Sequence, residues 1–242
     1  MKVIVLSNSK YKENDVIYNA ISEEGSLSFK AYRGQDNKSP AVWLNNPLVI
    51  ADIDLSTDKR LKYPTLKEAK LISSPMTGDD SLEYLYAVNL LSEAANNMLQ
   101  ENERHLLFKE IEDALTSLKE KKDILMVVMI YLARIIKLSG GELEVDECVF
   151  CGKTKEIVAF SFLEGGFICR DCLQKNEVPT DLSPNQMLLI RYIFKSPNYS
   201  CVSSERYSTE DKIVILKNLK TYISDELGVN LSSIDMLLKY FN

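Results

Sequence analysis

The stretch Cys148-Val149-Phe150-Cys151-Gly152 and the later stretch Cys169-Arg170-Asp171-Cys172 each contain a Cys-x-x-Cys pair. Two such pairs at this separation are typical of a site in which four thiolates bind zinc, because each pair forms a tight turn and the chain between them folds back as a hairpin. Residues 160–168 alternate and then turn at Gly165-Gly166, as a hairpin does. Gly152 suits the left-handed turn that lets backbone amides point at the sulfur atoms. The sequence therefore predicts one structural zinc ion bound by Cys148, Cys151, Cys169 and Cys172.

Four thiolates around a divalent ion leave a formal charge of about −2, and Lys153, Lys155 and Arg170 are placed in the sequence to offset it. Because protein ligands fill all four positions, no position stays open for water or substrate, which favours a structural role over hydrolysis. The alternative is a pair of thioredoxin-type redox motifs. That motif normally stands alone at the start of a helix in a βαβ unit, and the sequence shows no such unit.

The composition is that of a globular protein with two or three domains: 242 residues, of which 45% are hydrophobic and 26% charged. The apolar run at residues 1–6 is too short for a signal peptide and is interpreted as a strand. The run 124–138 contains Arg134 and Lys137 and is too short to span a bilayer, so it predicts a buried helix. A cytoplasmic protein is therefore expected. Cys201, the fifth cysteine, is expected to be a small buried residue.

Charge is unevenly distributed along the chain, whose formal net charge is −6. Residues 1–70 carry 11 Lys+Arg against 9 Asp+Glu, a balance of +2, and residues 71–242 carry 18 against 26, a balance of −8. The net charge argues against a protein that binds nucleic acid over its entire surface. A local basic face is expected only in the first part of the chain.

Residues 1–78 are interpreted as a small β-barrel. Short apolar or alternating stretches at 3–7, 16–21, 26–32, 42–44 and 48–53 are separated by turn glycines and prolines, with no helical periodicity between them. About five strands in this length fit a small Greek-key barrel such as the OB-fold, although an SH3-like barrel gives a similar pattern. The predicted fold class is therefore α+β and multidomain, with an N-terminal OB-fold.

Residues 79–242 are predicted to form an α-helical bundle. Asp79-Asp80-Ser81 is interpreted as the cap region of a first helix. The expected helices cover residues 82–100, 102–121, 124–138, 187–195, 209–227 and 232–241, and Gly228 marks one C-terminus. The four cysteines fall within this series, so a zinc ribbon at about 142–178 is interpreted as an insertion into the bundle. A segment of this size depends on its metal because its own core is small.

The order of these parts resembles the bacterial RecO family. The stretches that carry the resemblance are Tyr11-Lys12-Glu13-Asn14-Asp15, Ala31-Tyr32-Arg33-Gly34 followed by Lys38-Ser39, residues 103–108, and the two cysteine pairs with Phe160-Ser161 and Gly165-Gly166 between them. The resemblance spans nearly the entire chain. It implies a DNA repair and recombination mediator that binds single- and double-stranded DNA through the OB-fold and anneals complementary strands. It also implies a bacterial, nucleoid-associated location.

The family resemblance implies protein partners as well. These are RecR, the acidic C-terminal tail of single-stranded-DNA-binding protein, and, indirectly, the recombinase RecA. Arg134 and Lys137 are candidates for binding the tail because they are cations on an otherwise apolar helix that the family places in the helical domain. The alternative for these two residues is that they are core cations whose charged groups reach out to solvent.

The predicted DNA-binding residues are Lys10, Lys12, Lys30, Tyr32, Arg33 and Lys38. OB-folds stack bases on aromatic rings and neutralise phosphates with cations, and the barrel segment also contains Tyr11, Tyr18, Phe29 and Trp43. For each aromatic residue, burial in the core and base stacking both stay open. The sequence departs from the family pattern at Asp36, which dilutes the basic cluster after Gly34.

Signatures of an enzyme are absent from the sequence. The single histidine, His105, is followed by Leu106-Leu107, so the His-x-Glu of zinc deaminases is missing, and no histidine is left to pair with a nucleophile. No Gly-x-x-x-x-Gly-Lys phosphate loop occurs. We therefore expect a protein without enzymatic activity. The alternative to a DNA-binding mediator is a zinc-ribbon adaptor that binds proteins through its acidic helical domain and makes no direct contact with DNA.

Overall fold

The computed structural model describes residues 1–36, 39, 42–56, 62–76, 80–141, 143–176, 178–180, 182–199 and 205–241. The chain divides into two compact units, residues 1–119 and residues 120–242. The first unit holds the strands of the barrel and two α-helices, and the second holds the ribbon and five α-helices of the described chain. The domain boundary expected between residues 78 and 79 marks the change from strand to helix and stays a prediction.

Five strands form a closed barrel in the first unit. They are β1 Lys2–Tyr11, β2 Asp15–Ser22, β3 Gly25–Ala31, β4 Ile50–Ser56 and β5 Thr65–Ser73. Their order is β1-β2-β3-β5-β4, and β1 pairs with β4 to close the barrel. The pair β3–β5 is parallel and the other pairs are antiparallel. This five-stranded Greek-key arrangement is that of an OB-fold, so the predicted class is confirmed.

The barrel core is built from the inward-facing side chains of these strands. Tyr18 of β2 and Phe29 of β3 are both fully buried, and their rings stack with centroids 5.3 Å apart. Burial raises the pKa of Tyr18 to about 12, and its hydroxyl donates to Asn45 Oδ1 at 2.8 Å. The hydrogen bond satisfies the one polar group that this ring carries into the core.

One predicted strand is wrong. The alternation at residues 42–44 predicts a strand, but Val42–Asn45 forms a 3₁₀-helix in which Leu44 is buried and Trp43 packs against the barrel core. Three residues of alternation are too few to distinguish the two structures, and local bonds such as Asn46 N–H to Trp43 O at 3.2 Å satisfy the backbone here. The strand β5 is missing from the predicted set because its polar residues outnumber its apolar ones.

Two α-helices complete the described part of the first unit: α1, Leu82–Asn97, and α2, Phe108–Lys119. The register of β1 against β2 shifts between Val5 and Ser7, and the carbonyl oxygen of Leu6 accepts instead from Ser92 Oγ at 3.3 Å and Asn96 Nδ2 at 3.0 Å. These bonds fasten α1 to the barrel. The expected helix over 102–121 is split, since Arg104–Leu107 is a 3₁₀ turn that leads into α2.

The second unit contains a helical core and a small ribbon. Its elements are α3 Ile124–Leu138, β6 Ile157–Ser161, β7 Gly166–Cys169, α4 Arg170–Asn176, α5 Pro184–Lys195, α6 Thr209–Leu227 and α7 Ser232–Phe241. Eleven of the fifteen residues of α3 are buried, which confirms the predicted buried helix. The short helix α4 is an addition to the predicted elements. Within the described ranges, no helix has both the length and the hydropathy needed to cross a membrane.

Helix ends in the second unit follow local sequence rules. Ser183 and Gln186 form a capping box at the start of α5, with Pro184 in its first turn. Helix α6 ends at Gly228, whose φ of 67° is left-handed, as the sequence predicts. Three residues interpreted from the sequence, Lys38, Asp79 and Cys201, lie outside the described part of the chain.

Candidate metal centre and nucleic-acid interface

The first Cys-x-x-Cys pair forms a tight turn. The carbonyl oxygen of Cys148 accepts from Cys151 N–H at 3.3 Å and from Gly152 N–H at 2.8 Å, and Cys148 N–H donates to Lys153 O at 2.8 Å. Gly152 has a φ of 70°, so the predicted left-handed turn is confirmed. The turn brings the two cysteines of the pair together at one end of the ribbon.

The second pair lies where a strand meets a helix. Cys169 is the last residue of β7, and Cys172 lies in the first turn of α4. Strands β6 and β7 pair in antiparallel fashion from Ile157↔Cys169 to Ser161↔Gly166, which confirms the predicted hairpin. Because the hairpin returns the chain to its starting point, the second pair lies next to the first.

All four sulfur atoms lie within 4.8 Å of one another. The sulfur atoms of Cys151 and Cys169 are 3.6 Å apart. A tetrahedral zinc site with Zn–S distances of about 2.3 Å has its sulfur atoms about 3.8 Å apart, so the donor set fits this ion. Cys148, Cys169 and Cys172 are buried and Cys151 is exposed. The arrangement is compatible with a closed, structural site.

The thiols do not ionise equally. Burial opposes ionisation of Cys148, but backbone hydrogen bonds from Cys169, Phe150 and Cys151 outweigh it and lower the pKa of Cys148 to about 6. Burial raises the pKa of Cys172 to about 12, with further contributions from its hydrogen bonds to the other three thiols and from the charge of Cys148. Ionisation is therefore favoured at Cys148 and opposed at Cys172, unless a cation lies between the sulfur atoms.

The cations predicted to offset the thiolate charge are arranged differently from one another. Lys153 Nζ pairs with Asp171 Oδ2 at 2.6 Å, which links the two Cys-x-x-Cys turns. This hydrogen bond and the charge of Asp171 raise the pKa of Lys153. Lys155 and Arg170 are exposed. The main role of Lys153 is therefore to link the two turns through its salt bridge with Asp171.

The hairpin packs closely against the segment that precedes the first cysteine pair. Gly166 forms a parallel bridge with Glu144, and Phe167 N–H donates to Glu144 O at 2.9 Å. A Cβ atom added at Gly166 would lie 2.3 Å from the carbonyl oxygen of Glu144. Only glycine allows this approach, so Gly166 sets the distance between the hairpin and its neighbouring segment.

Most of the predicted DNA-binding residues gather at one end of the barrel. The β1–β2 turn carries Lys12, and the turn after β3 carries Tyr32 and Arg33; Gln35 N–H donates to Asn14 O at 3.3 Å and joins the two turns. Lys12 and Arg33 both have left-handed backbones, with φ of 54° and 50°. Non-glycine residues in this conformation cost about 1–3 kcal/mol and occur preferentially at ligand sites.

Lys30 is the centre of this group. Its Nζ lies 3.8 Å from the centroid of the Tyr32 ring, 6.0 Å from that of Tyr11, and 3.9 Å from Asp15 Oδ2. Lys12 Nζ lies 5.8 Å from the Tyr11 centroid. Asp15 is absent from the site residues predicted from the sequence. Its position directly after the β1–β2 turn, opposite the end of β3, is the signal that could have identified it.

The remaining predicted residues differ in their exposure to solvent. Lys10 is exposed at the end of β1, and the backbone N–H of Arg33 donates to Asp15 Oδ1 at 3.1 Å. Lys38 lies outside the described residues.

Of the aromatic residues left open between burial and stacking, Tyr18 and Phe29 are in the core, whereas Tyr32 is 59% exposed. Tyr32 is therefore the best-exposed stacking surface in this group.

The two cations of α3 have different surroundings. Arg134 is half-buried and its Nη2 donates to Ser196 O at 2.6 Å, at the end of α5. Lys137 is exposed and lines a shallow cavity of about 50 Å³ together with Phe194 and Lys195. The hydrogen bond gives Arg134 a structural contact within the second unit. Lys137 remains accessible.

Comparisons with known proteins give a consistent result. The family model described as recombination protein O C terminal matches residues 80–234. The DNA repair protein RecO of Thermoanaerobacter sp. (strain X514) is 24% identical over 98% of this chain and 95% of its own. That of Bacillus pumilus (strain SAFR-032) is 24% identical over 95% and 90%, and that of Streptococcus agalactiae serotype V is 26% identical over 95% and 90%.

Proposed function

Because the chain belongs to the RecO family, we propose that it is a mediator of DNA repair and homologous recombination that binds DNA directly and has no enzymatic activity. In this role the protein binds single- and double-stranded DNA and anneals complementary strands. Together with RecR and single-stranded-DNA-binding protein, it loads the recombinase RecA. A cytoplasmic, nucleoid-associated location follows from the same proposal.

The observation that carries DNA binding is the exposed ring of Tyr32 over the ammonium group of Lys30. OB-folds bind oligonucleotides with the face of strands 2 and 3 and the loops beside it, and Tyr32 follows the third strand. Lys30 occupies one face of the ring and the side chain is 59% exposed, so a base can stack on the other face. Base–aromatic stacking contributes about 1–3 kcal/mol per base.

The cations around the Tyr32 ring would make the contacts with phosphate groups. Lys10, Lys12 and Arg33 are exposed, whereas Lys30 forms an ion pair with Asp15. With about three or four phosphate contacts to a single strand, affinity should fall with roughly the second to third power of salt concentration. The formal net charge of −6 opposes DNA at longer range, so binding should be weak and should already fade at modest salt concentrations.

The cysteine cluster supports a structural role for zinc in this protein. Cys148, Cys151, Cys169 and Cys172 would hold the ion, which would cross-link the two Cys-x-x-Cys turns when bound. The hairpin and the adjoining segment then provide a rigid ribbon without an open coordination position. A redox role for the cysteine pairs has no comparable support, since Cys169 ends a strand of a two-stranded antiparallel hairpin and not of a βαβ unit.

Binding of the acidic tail of single-stranded-DNA-binding protein remains part of the proposal. Lys137 is the better candidate of the two α3 cations because it is exposed beside Phe194 and Lys195. Arg134 would support this surface through its bond to Ser196. A labelled tail peptide should bind the wild-type chain and bind more weakly to Lys137→Ala. Equal binding to both proteins would remove Lys137 from the interface.

The central experiment is a titration of a fluorescent single-stranded oligonucleotide at several salt concentrations, with and without the partner proteins. Tyr32→Ala should weaken binding about tenfold or more, whereas Tyr32→Phe keeps the ring and should retain it. Arg33→Glu should weaken binding to all sequences, because phosphate contacts carry no base information. Lys217→Glu, an equal charge change on exposed α6, is the matched control. Binding that is flat in salt and unchanged by Tyr32→Ala would support the adaptor alternative.

A further inference from the structure

A groove in the second unit, outside the proposed DNA-binding residues, has an apolar floor and an acidic edge. The hairpin turn after β6 supplies Phe162 and Leu163, and the last turns of α6 supply Tyr222, Asp225 and Glu226. The cavity measures about 240 Å³. We call it the ribbon-tip groove. Small-molecule sites measure about 300–1,000 Å³, so this cavity suits one or two side chains of a bound peptide better than a small-molecule ligand.

The floor of the ribbon-tip groove is aromatic and held firmly in place. The Phe162 ring meets Phe160 edge-on, with centroids 4.9 Å apart, and lies 6.1 Å from the Tyr222 ring. Leu163 stands at the side of the groove and is 75% exposed, the most exposed large apolar side chain of the described chain. A turn that presents leucine to water beside two aromatic rings favours an apolar partner.

The Tyr222 hydroxyl adds a polar anchor. The residue is only 8% exposed, and no hydrogen bond of its hydroxyl is observed among the described residues; the hydroxyl is not one of the fully enclosed unpaired atoms, so water reaches it from outside. Burial and the charge of Glu226 raise the pKa of Tyr222, so the hydroxyl is protonated and can donate. An unpartnered hydroxyl that lines a groove is suited to a carbonyl oxygen of a bound backbone.

The acidic edge lies where carboxylates are unfavourable for the helix. Asp225 and Glu226 are in the last turn of α6, where the free carbonyl groups already produce a negative potential, and that turn has no basic residue. Glu164 adds a third exposed carboxylate on the hairpin turn. In the described ranges of the chain, no lysine or arginine pairs with any of these three side chains. No direct ion pair therefore offsets this negative potential among the described residues of the unit.

We propose that the ribbon-tip groove binds a segment of a partner protein in which an apolar side chain is flanked by lysine or arginine. The apolar side chain packs on Phe162 and Leu163, and the flanking cations face Asp225 and Glu226. Charge complementarity excludes DNA as the occupant, because three carboxylates repel phosphates. It also disfavours a second copy of this chain, whose formal net charge is −6.

The test uses the full wild-type chain and a random peptide library displayed on phage, and the variants are kept for the later binding measurements. Enriched peptides should contain an apolar residue beside lysine or arginine. The strongest peptide, labelled with a fluorophore, should bind at least about tenfold more weakly to Leu163→Ser and to Glu226→Lys, as followed by fluorescence anisotropy. Glu210→Lys, at the other end of the same helix, changes the charge equally and should leave peptide binding unchanged.

Three outcomes would overturn the proposal. The enriched peptides could be acidic or lack the apolar–basic pattern, or they could bind Glu226→Lys and wild type equally. Sedimentation could instead show a dimer of the chain that Leu163→Ser abolishes, which would make a second copy the occupant. Because Leu163, Glu210 and Glu226 are all exposed, the variants should fold, and thermal melting checks this directly. Oligonucleotide binding measured on the same variants separates this surface from the DNA-binding site.

Discussion

The ammonium group of Lys212 lies 2.7 Å from Asp123 Oδ2 and is buried, with the lysine side chain only 5% exposed. Asp123 is also the N-cap of α3, where its Oδ1 accepts from Met126 N–H at 3.1 Å. A single carboxylate thus caps the most buried helix of the second unit and holds α6 against its start. Because this ion pair is largely buried, removing one partner should lower the free energy of unfolding.

Lys212→Ala should destabilise the second unit by about 3–5 kcal/mol, because the largely buried carboxylate of Asp123 would lose this cation. The double variant Lys212→Met with Asp123→Asn should recover part of this loss, since asparagine still caps the helix and carries no charge. Urea unfolding of the single and double variants measures both values. A loss below about 1 kcal/mol for Lys212→Ala would mean that Asp123 is adequately solvated.

Purified protein should contain about one zinc ion per chain, because the four sulfur atoms fit a tetrahedral site. Cys148→Ser should lower the zinc content and the melting temperature together, and a strong chelator should lower the melting temperature of the wild type. Cys201→Ser, at a position outside the described residues, is the control and should keep the metal. Elemental analysis checks the stoichiometry, and wild-type protein without metal in a chelator-free preparation would contradict the assignment.

Gly166→Ala should destabilise the ribbon by about 1–3 kcal/mol, the usual cost of overpacking. The added methyl group would lie 2.3 Å from the backbone of Glu144, where no flexible side chain can give way. Gly25→Ala is the matched control, because its Cβ would have no atom within 4 Å. Thermal melting and zinc retention report on the two variants. Equal melting temperatures would show that the segment around Glu144 can move away.

Asp15→Asn should strengthen single-strand binding severalfold and make it more salt-dependent. The substitution removes a carboxylate 3.9 Å from Lys30 and leaves an oxygen that can still accept from the backbone N–H of Arg33. One more cation then becomes available to phosphate. Oligonucleotide titrations over a range of salt concentrations give both quantities. Weaker binding by Asp15→Asn would indicate that the carboxylate is needed to hold Lys30 beneath Tyr32.

Asp225→Lys combined with Glu226→Lys should raise the stability of the second unit by about 0.3–1 kcal/mol, because cations at a helix C-terminus interact favourably with the helix dipole. The same double variant should lose the peptide affinity proposed for the ribbon-tip groove. The effect on stability should shrink in high salt, since both positions are exposed. Denaturant midpoints at low and high salt provide the measurement. A less stable variant would show that the two carboxylates have stabilising contacts.

The features found from the sequence are those that local patterns encode. The spacing of the cysteine pairs predicted their cluster, the apolar run 124–138 predicted the buried helix α3 at its observed bounds, and Gly228 marked the end of α6. Each of these depends on residues that are near one another in the chain or on one strongly constrained geometry. Local backbone geometry and the fixed spacing of the motif therefore make these features recognisable in the sequence.

Tertiary structure alone decided which of several equivalent side chains have a role. Tyr18 and Tyr32 look alike in the sequence, but strand pairing buries the first and leaves the second exposed over Lys30. The pairing of Asp123 with Lys212 joins residues 89 positions apart, and the groove beside Leu163 needs the end of α6 next to the hairpin turn. Such contacts depend on how distant segments pack, because burial and electrostatic partners are set by the space around a side chain and not by its neighbours in the chain.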